Sequence, residues 1–287
     1  MRMKKFHSSP FRYINKVVLR VVDLERSIGF YQKMMGLKIL WEEKGRVGLS
    51  ADGVQPLLEL VRPEDAIPKQ PRRTGLYHYA LLLPHRSQLG LFLKHMRDNN
   101  YPIIGGSNHG VSEAVYLQDP DDHGIEVYVD TDSRNWKWEG GQVDMVTHPL
   151  DYSGLLEEAG DGHWTGMPKE TIIGHIHLHV ANLNDAKAFY MDGLGFDLVM
   201  ELGGSALFLS SGGYHHHIGL NIWNGVGAAP LPKNAAGLAY YTLLFPDDQA
   251  RRDTIARLRE RKDPVMEKDG EFYTKDPSGN VIQLLIP

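Results

Sequence analysis

Hydrophobic and polar residues alternate most regularly over residues 173–180, which read Ile-Gly-His-Ile-His-Leu-His-Val. Successive side chains of a β-strand point to opposite faces, so this segment would turn its apolar residues one way and its histidines the other. The apolar face can pack against the amphipathic helix that the following residues predict. The other face carries His175, His177 and His179. Three histidines on one face of a buried strand need water, hydrogen-bonding partners or a metal ion.

The same succession of strand and helix occurs elsewhere in the chain, which indicates an internal repeat. An apolar strand pattern leads into an amphipathic helix that contains Phe30-Tyr31, and the same pattern with Phe189-Tyr190 lies 159 residues later. A second pattern, Gly-Leu-x-x-Tyr-x-Leu-Leu-x-Pro, begins at Gly75 and again at Gly237. Further short strands follow each helix, which predicts four βαβββ modules. The modules span residues 12–64, 74–131, 172–225 and 236–287.

These modules group into an N-terminal domain over residues 1–131 and a C-terminal domain over residues 171–287. The connector between them, residues 132–170, contains Trp136 and Trp138 and is too aromatic for a disordered linker. We therefore expect it to be structured. A chain of 287 residues with 42% hydrophobic residues is long enough for two such domains with a real core.

Composition and charge restrict the chemistry and the partners. The formal net charge is −5 and there is no long basic run, which argues against nucleic acid or an anionic membrane as a partner. The chain has no cysteine, so a metal site must use His, Asp, Glu, Tyr or water. No stretch approaches the length of a transmembrane helix, and the first twelve residues lack the apolar core of a signal peptide. We expect a cytoplasmic protein.

Three motifs of the repeat are typical of one superfamily. A first strand begins with His, a helix carries Phe-Tyr and then Leu-Gly-Phe, and the last strand follows Asp-Pro-x-Gly, as at residues 175, 189–196 and 276–279. In this the chain resembles the vicinal oxygen chelate superfamily of glyoxalase I, bleomycin-resistance proteins and extradiol catechol dioxygenases. The stretch 214–223 most resembles its catechol 2,3-dioxygenase-like members. The resemblance implies an α+β fold in which four βαβββ modules form two half-open mixed β-barrels.

The resemblance also implies where metal ligands lie. One is a His five residues before the last apolar residue of a first strand, and another is a carboxylate after the Asp-Pro turn. Module two has His78 and Glu126 at these positions, and module three has His175. The other modules have Lys16, Tyr240 and Gln283 at the corresponding positions. Neither half of the chain has a complete set, so we hypothesise that module two pairs with module three.

His78, Glu126 and His175 would then form one triad of two histidines and one carboxylate. Such a triad suits Fe(II), with open positions on one face, and Mn, Zn or Ni are the alternatives. If modules one and two pair instead, and three and four, each site would be partial and completed by Glu59 or His217.

The resemblance implies an acid–base His on a later strand of module three, where residues 213–219 read Gly-Tyr-His-His-His-Ile-Gly. Strand alternation places His215 and His217 on one face and His216 on the other. We expect His215 and His217 to face the metal and His216 to be structural. The alternative is a surface histidine cluster or an adventitious metal site.

A His and a Tyr before the Asp-Pro turn are a further feature of the dioxygenases. Tyr116 stands three residues before Asp119, as in that family, and His109 lies somewhat closer to Tyr116 than in the dioxygenase pattern. The resemblance implies that both hydrogen-bond a catechol oxygen.

The resemblance implies an Fe(II)-dependent extradiol dioxygenase that cleaves catechol, or a substituted catechol, with O₂. One alternative is a glyoxalase-type isomerase with Ni or Zn and two carboxylates, of which Glu59 would be the second. The corresponding position in module three is taken to be Asn221, which argues against it. Another alternative is a ligand-binding protein without catalysis. For a dioxygenase the expected partners are a small aromatic diol and O₂. Whether the protein forms a homo-oligomer is left open.

Overall fold

The structure is a computed structural model that describes residues 5–287. It contains the four modules and confirms the α+β class with two half-open mixed β-barrels. Module one contains β1 (Tyr13–Arg20), α1 (Leu24–Lys33), β2 (Lys38–Glu43), β3 (Arg46–Ser50) and β4 (Leu58–Val61). Module two contains β5 (Gly75–Leu82), α2 (Arg86–Asp98), β6 (Gly105–Asn108), β7 (Ser112–Gln118) and β8 (Gly124–Asp130).

The connector is structured, as expected. It contains β9 (Trp138–Glu139), β10 (Gln142–Val143), β11 (His148–Pro149) and α3 (Tyr152–Ala159). Module three contains β12 (Ile172–His179), α4 (Leu183–Ala188), β13 (Asp197–Leu202), β14 (Ala206–Ser210) and β15 (Ile218–Asn221), and one π-helical turn (Phe189–Gly193) extends α4. Module four contains β16 (Gly237–Leu244), α5 (Asp248–Glu260), β17 (Val265–Lys268), β18 (Glu271–Lys275) and β19 (Val281–Leu285).

The modules pair across the two halves of the chain. The first sheet has the order β17-β18-β19-β16-β1-β4-β3-β2 and joins modules four and one through the antiparallel pair β1 and β16. The second sheet has the order β11-β6-β7-β8-β5-β12-β15-β14-β13 and joins modules two and three through β5 and β12. The hypothesis that module two pairs with module three is therefore confirmed. Each sheet takes one module from residues 1–131 and one from residues 171–287, so neither half of the chain forms a sheet by itself.

One hydrophobic core joins the two sheets. Val17 and Leu19 of β1 belong to the same buried cluster as Ile176 and Leu178 of β12. These are the apolar residues that alternation turns away from the histidines, and their burial in the core leaves the histidine face of β12 on the concave side of the second sheet.

The helices begin and end where the side chains predict. Asp23 caps α1 by accepting a hydrogen bond from the backbone N–H of Arg26 at 3.0 Å, and Phe30 and Tyr31 form the buried face. After the helix, Gly36 has a φ of +70°, and a Cβ there would lie 2.5 Å from the Cα of Gly166. Module one therefore requires glycine at this position, because the connector crosses it closely and its φ is positive.

Within residues 5–287 every helix is either too short or too polar to cross a lipid bilayer. The cytoplasmic location stays a prediction.

Candidate metal centre

Three neighbouring strands of the second sheet carry the predicted metal ligands. Strand β5 lies between β8 and β12, and Ala80 is opposite Glu126 on one side and opposite His175 on the other. His78 precedes Ala80 by two residues, so its side chain is on the same face of the sheet. The small side chain of Ala80 leaves space between the ligands. The register of the sheet thus brings together residues from both halves of the chain.

The three ligand atoms form a nearly equilateral triangle. Oε2 of Glu126 is 3.0 Å from Nε2 of His78 and 3.1 Å from Nε2 of His175, and the two nitrogens are 3.3 Å apart. Ligands about 2.1 Å from an ion at right angles to one another are separated by about 3.0 Å. The triangle therefore matches one face of an octahedral coordination sphere. These residues could hold a divalent metal ion with open positions on the cavity side.

The electrostatics of the triad also suit a cation. Burial would raise the pKa of Glu126, but His175 and His78 hold it well below its ordinary value, so the carboxylate is charged. Burial lowers the pKa of His175 to about 4, although the charge of Glu126 opposes this. His175 is therefore neutral near pH 7 and keeps a lone pair for a metal.

Tyr116 and His109 lie together beside the triad. The Tyr116 ring is 5.8 Å from the His78 ring, and its hydroxyl is 2.9 Å from Nε2 of His109. Nδ1 of His109 lies 2.8 Å from the carbonyl oxygen of Val146, which can only accept. Nδ1 is therefore the protonated nitrogen, and a neutral His109 accepts the Tyr116 hydroxyl at Nε2. Burial and the charge of Glu126 raise the pKa of Tyr116 well above its ordinary value.

The histidines at 215–217 are oriented differently from the prediction. His216 lines the cavity, and its ring is 4.1 Å from the ring of His175. His217 points away, donating from Nε2 to the Phe6 carbonyl oxygen at 2.9 Å and accepting the Ser211 N–H at Nδ1. The expectation that His217 faces the metal and His216 is structural is wrong. Strand β15 begins only at Ile218, so strand alternation does not apply to these residues.

His215 also lies behind the cavity wall. Its Nε2 is 2.9 Å from Oδ1 of Asp130, and its Nδ1 is 2.8 Å from Nδ1 of His216. The expectation that His215 faces the metal is therefore wrong as well, although His215 contacts the residue that does line the cavity.

A cavity of about 980 Å³ opens in front of the triad. Its walls include His177 and His179, which share the strand face of His175, and also Tyr77 and Trp223. Strand alternation singled out the two histidines, but without assigning them a role. The connector completes the cavity with Met145, Val146 and Thr147. Nothing in the local sequence indicates that these three residues approach the site.

The family model described as "Glyoxalase/Bleomycin resistance protein/Dioxygenase superfamily" matches residues 13–127 and 172–284. The chain belongs to this superfamily. Within it, the chain is 47% identical over 280 residues to the catechol-2,3-dioxygenase of Bacillus subtilis (strain 168), which covers 96% of this chain and 97% of that protein. The predicted resemblance to the catechol 2,3-dioxygenase-like members is confirmed.

Solved structures of lower sequence identity show the same superfamily fold. A protein from Bacillus subtilis subsp. subtilis str. 168 has a TM-score of 0.66 at 13% identity, covering 96% of this chain and 84% of its own. Glyoxalase I from Zea mays has a TM-score of 0.58 at 16% identity, covering 95% of this chain and 92% of its own.

Glu59, the second carboxylate of a glyoxalase-type site, lies in the first sheet. Its carboxylate is 3.2 Å from Nζ of Lys16 and also pairs with Arg46. Strand pairing places Glu59 opposite Val18, and in module three Gly219 is opposite the equivalent His177. The counterpart of Glu59 is therefore Gly219 and not Asn221. The register corrects the predicted correspondence, and the triad holds a single carboxylate.

Proposed function

We propose that the protein is an Fe(II)-dependent extradiol dioxygenase that cleaves catechol, or a substituted catechol, with O₂. The observation that supports it best is the buried facial triangle of His78, Glu126 and His175 at the base of a large cavity. The chain is also 47% identical to a catechol-2,3-dioxygenase over nearly its whole length, which favours the same reaction. The single carboxylate of the triad argues against the two-carboxylate isomerase.

Two neutral imidazoles and one carboxylate leave a divalent ion with a net charge near +1, which favours an anionic catecholate. A ferrous ion bound there would supply a Lewis acid for the two catechol oxygens and a path for electrons between catechol and O₂. The remaining residues bind the substrate and move protons.

Tyr116 and His109 would orient the catechol. The high pKa of Tyr116 keeps its hydroxyl protonated, so that it can donate to a catechol oxygen in place of His109. His109 is held by the Val146 carbonyl, which comes from the connector. A fixed donor such as the Tyr116 hydroxyl stabilises charge on the substrate oxygen without reorganisation.

In place of His215 and His217, we assign the acid–base role to His216. Because Asp130 accepts from Nε2–H of His215, a neutral His215 has an unprotonated Nδ1, which accepts from Nδ1–H of His216. The other nitrogen of His216, Nε2, then carries a lone pair on the cavity side. It would take a proton from a catechol hydroxyl and return it later, and His215 with Asp130 would hold its orientation.

The reaction breaks the ring bond between a hydroxylated carbon and its unhydroxylated neighbour. One oxygen atom of O₂ enters a carboxyl group and the other an aldehyde, so the product is a yellow muconic semialdehyde. Catechol supplies all four electrons that O₂ accepts, and no external reductant is needed.

Anaerobic reconstitution tests the proposal. Metal-free protein would be loaded separately with Fe(II), Mn(II), Zn(II) or Ni(II), mixed with catechol, and followed for O₂ uptake and yellow product. We expect one O₂ consumed per catechol with Fe(II). Turnover with Mn(II) alone would support the same reaction but assign Mn(II) as the metal in place of Fe(II). Catechol binding without O₂ uptake under any metal would overturn the proposal in favour of a binding protein.

A further inference from the structure

Asn221 connects two cavity histidines that the proposed chemistry does not use. It lies at the end of β15, fully buried, and pairs with His179 of β12. Its Oδ1 is 2.7 Å from Nδ1 of His179, and its Nδ2 is 3.0 Å from Nε2 of His177. The amide therefore contacts both imidazoles, one through each of its two polar atoms.

The orientation of this amide follows from a backbone contact. The N–H of Trp223 donates to Oδ1 of Asn221 at 3.1 Å, and a backbone N–H can only donate, so the oxygen is on this side. Oδ1 also accepts from Nδ1 of His179, which is thus protonated. Nδ2 donates to Nε2 of His177, which is thus unprotonated. Neutral His177 and His179 are therefore both Nδ1–H tautomers.

The remaining nitrogens of the pair offer opposite hydrogen-bonding groups. His177 has a donor at Nδ1–H and His179 has an acceptor at Nε2, and neither atom has a hydrogen-bonding partner among residues 5–287. Both side chains line the cavity. A strand advances about 3.3 Å per residue, so they lie roughly 7 and 13 Å along β12 from His175.

The walls around the pair hold the imidazoles in place. The His177 ring packs on Gly219, where a Cβ would lie 2.8 Å from Cγ of the imidazole, so only glycine leaves room for it. The Tyr77 ring is 5.1 Å from the rings of both histidines, and the Trp223 ring is 5.4 Å from that of His177. A polar pair between aromatic walls can bind a polar group carried on a flat or aliphatic frame.

We infer that His177, His179 and Asn221 form a subsite for a hydroxylated substituent of the substrate. A hydroxyl both accepts and donates, so such a side chain satisfies the donor of His177 and the acceptor of His179, whereas a carboxylate would meet the lone pair of His179. The inference rests on the proposed function, and it names the substrate class as catechols that carry a hydroxylated side chain. A bare catechol would fill only a small part of the cavity.

Binding of matched catechols to the Zn(II)-loaded protein, which needs no turnover, tests this. We would measure the Kd of 4-(hydroxymethyl)catechol and of 4-ethylcatechol, which has a methyl group in place of the hydroxyl, together with the 3-substituted pair. We expect the hydroxylated compound of at least one pair to bind about tenfold tighter, as one hydrogen bond provides. The variant Asn221→Leu should reduce this ratio about tenfold.

Two further variants distinguish loss of the subsite from a general disturbance of the cavity. His177→Phe keeps the aromatic packing and removes the donor, so it should also reduce the ratio. Asn224→Leu is the matched control, because Asn224 lines the same cavity but donates to the carbonyl of Arg73, and it should leave the ratio unchanged. Nitrogen NMR should find His177 and His179 as Nδ1–H tautomers in the parent protein.

The outcomes distinguish the two proposals. Equal affinity for the hydroxylated and ethyl compounds in both pairs, or an unchanged ratio in His177→Phe, would overturn the subsite and leave the dioxygenase proposal standing. Tighter binding of 3,4-dihydroxybenzoate than of the hydroxymethyl compound would overturn it in favour of an anion site. If no catechol binds at all, the proposed function fails and the subsite fails with it.

Discussion

The two sheets have equivalent strand orders, but they carry different residues at their centres. In the second sheet the central positions hold His78, Glu126 and His175. In the first sheet the equivalent positions hold three residues of another kind, namely Tyr240, Gln283 and Lys16. The first sheet has an ammonium group in place of one ligand. The ammonium group of Lys16 pairs with the Glu59 carboxylate, so the positive charge in this sheet comes from a side chain.

The polar groups of the first sheet have partners within the protein. Lys16 and Arg46 both pair with the buried Glu59. Gln283 accepts from the Thr242 hydroxyl at 3.1 Å. Nothing in this cluster requires a metal. The fold therefore supplies a concave sheet, whereas a few side chains decide whether it binds an ion.

The largest effect is expected from Glu126→Gln, which gives the second sheet the residue that the first sheet already has. A neutral amide is a poor metal ligand, and even residues behind a ligand contribute 10- to 100-fold to metal affinity. We expect metal affinity to fall by at least about 100-fold and turnover to disappear, measured by metal analysis and O₂ uptake. The first sheet should still bind no metal in the reverse variant, Gln283→Glu. A second bound ion there would contradict the difference between the sheets.

A smaller loss of turnover is expected from His216→Gln. Loss of an acid–base group costs roughly 10²- to 10⁴-fold in rate while the metal stays bound. The neighbouring His217→Gln, whose side chain points away from the cavity, is the matched control and should retain most of the turnover with lower stability. If His217→Gln lost as much rate as His216→Gln at equal metal content, the assignment of His216 would be wrong.

The pH dependence of stability should differ between the sheets. Burial lowers the folded-state pKa of His175 and of His179 to about 4, against about 6.5 in the unfolded chain. Between these values the unfolded chain binds more protons, so the metal-free protein should lose stability as pH falls from about 6.5 towards 4, by roughly 3 kcal/mol for each histidine. In the first sheet, Arg20 stands at the position equivalent to His179, and burial lowers its pKa only to about 10, so it stays charged over this pH range.

Urea unfolding of chelator-treated protein at several pH values would measure this slope. His179→Gln should make it shallower by about one fifth, since it removes one of five buried histidines whose pKa is lowered, the others being His175, His177, His216 and His217. A slope unchanged by this variant would assign the pH dependence to other groups.

The smallest effect is expected from Glu59→Gln in the first sheet. It leaves the mostly buried ammonium of Lys16 without a carboxylate, at a cost of about 2 kcal/mol in the free energy of unfolding. Metal content and turnover should be unchanged, because Glu59 and the triad lie in different sheets. Urea unfolding and metal analysis check the two parts, and a loss of metal would mean that the two centres are coupled.

Much of the fold could be predicted from the sequence because it depends on local patterns. Each of the four predicted modules contains one strand, one helix and three further strands in the predicted order and within the predicted bounds. Capping residues such as Asp23 and the alternation along β12 act within a few neighbouring residues. The family resemblance added the ligand positions, which the repeat places at equivalent points of each module.

The sequence by itself therefore determined four modules and a histidine face on β12, and the family resemblance added a triad that neither half could complete. Only the tertiary structure decided which histidine of 215–217 faces the cavity, that Gly219 is the counterpart of Glu59, and that the connector supplies part of the wall. Strand periodicity orients a side chain only within a regular strand, and residues 215–217 precede β15. There the contacts with Phe6 and Asp130, which are distant in sequence, set the direction of each imidazole.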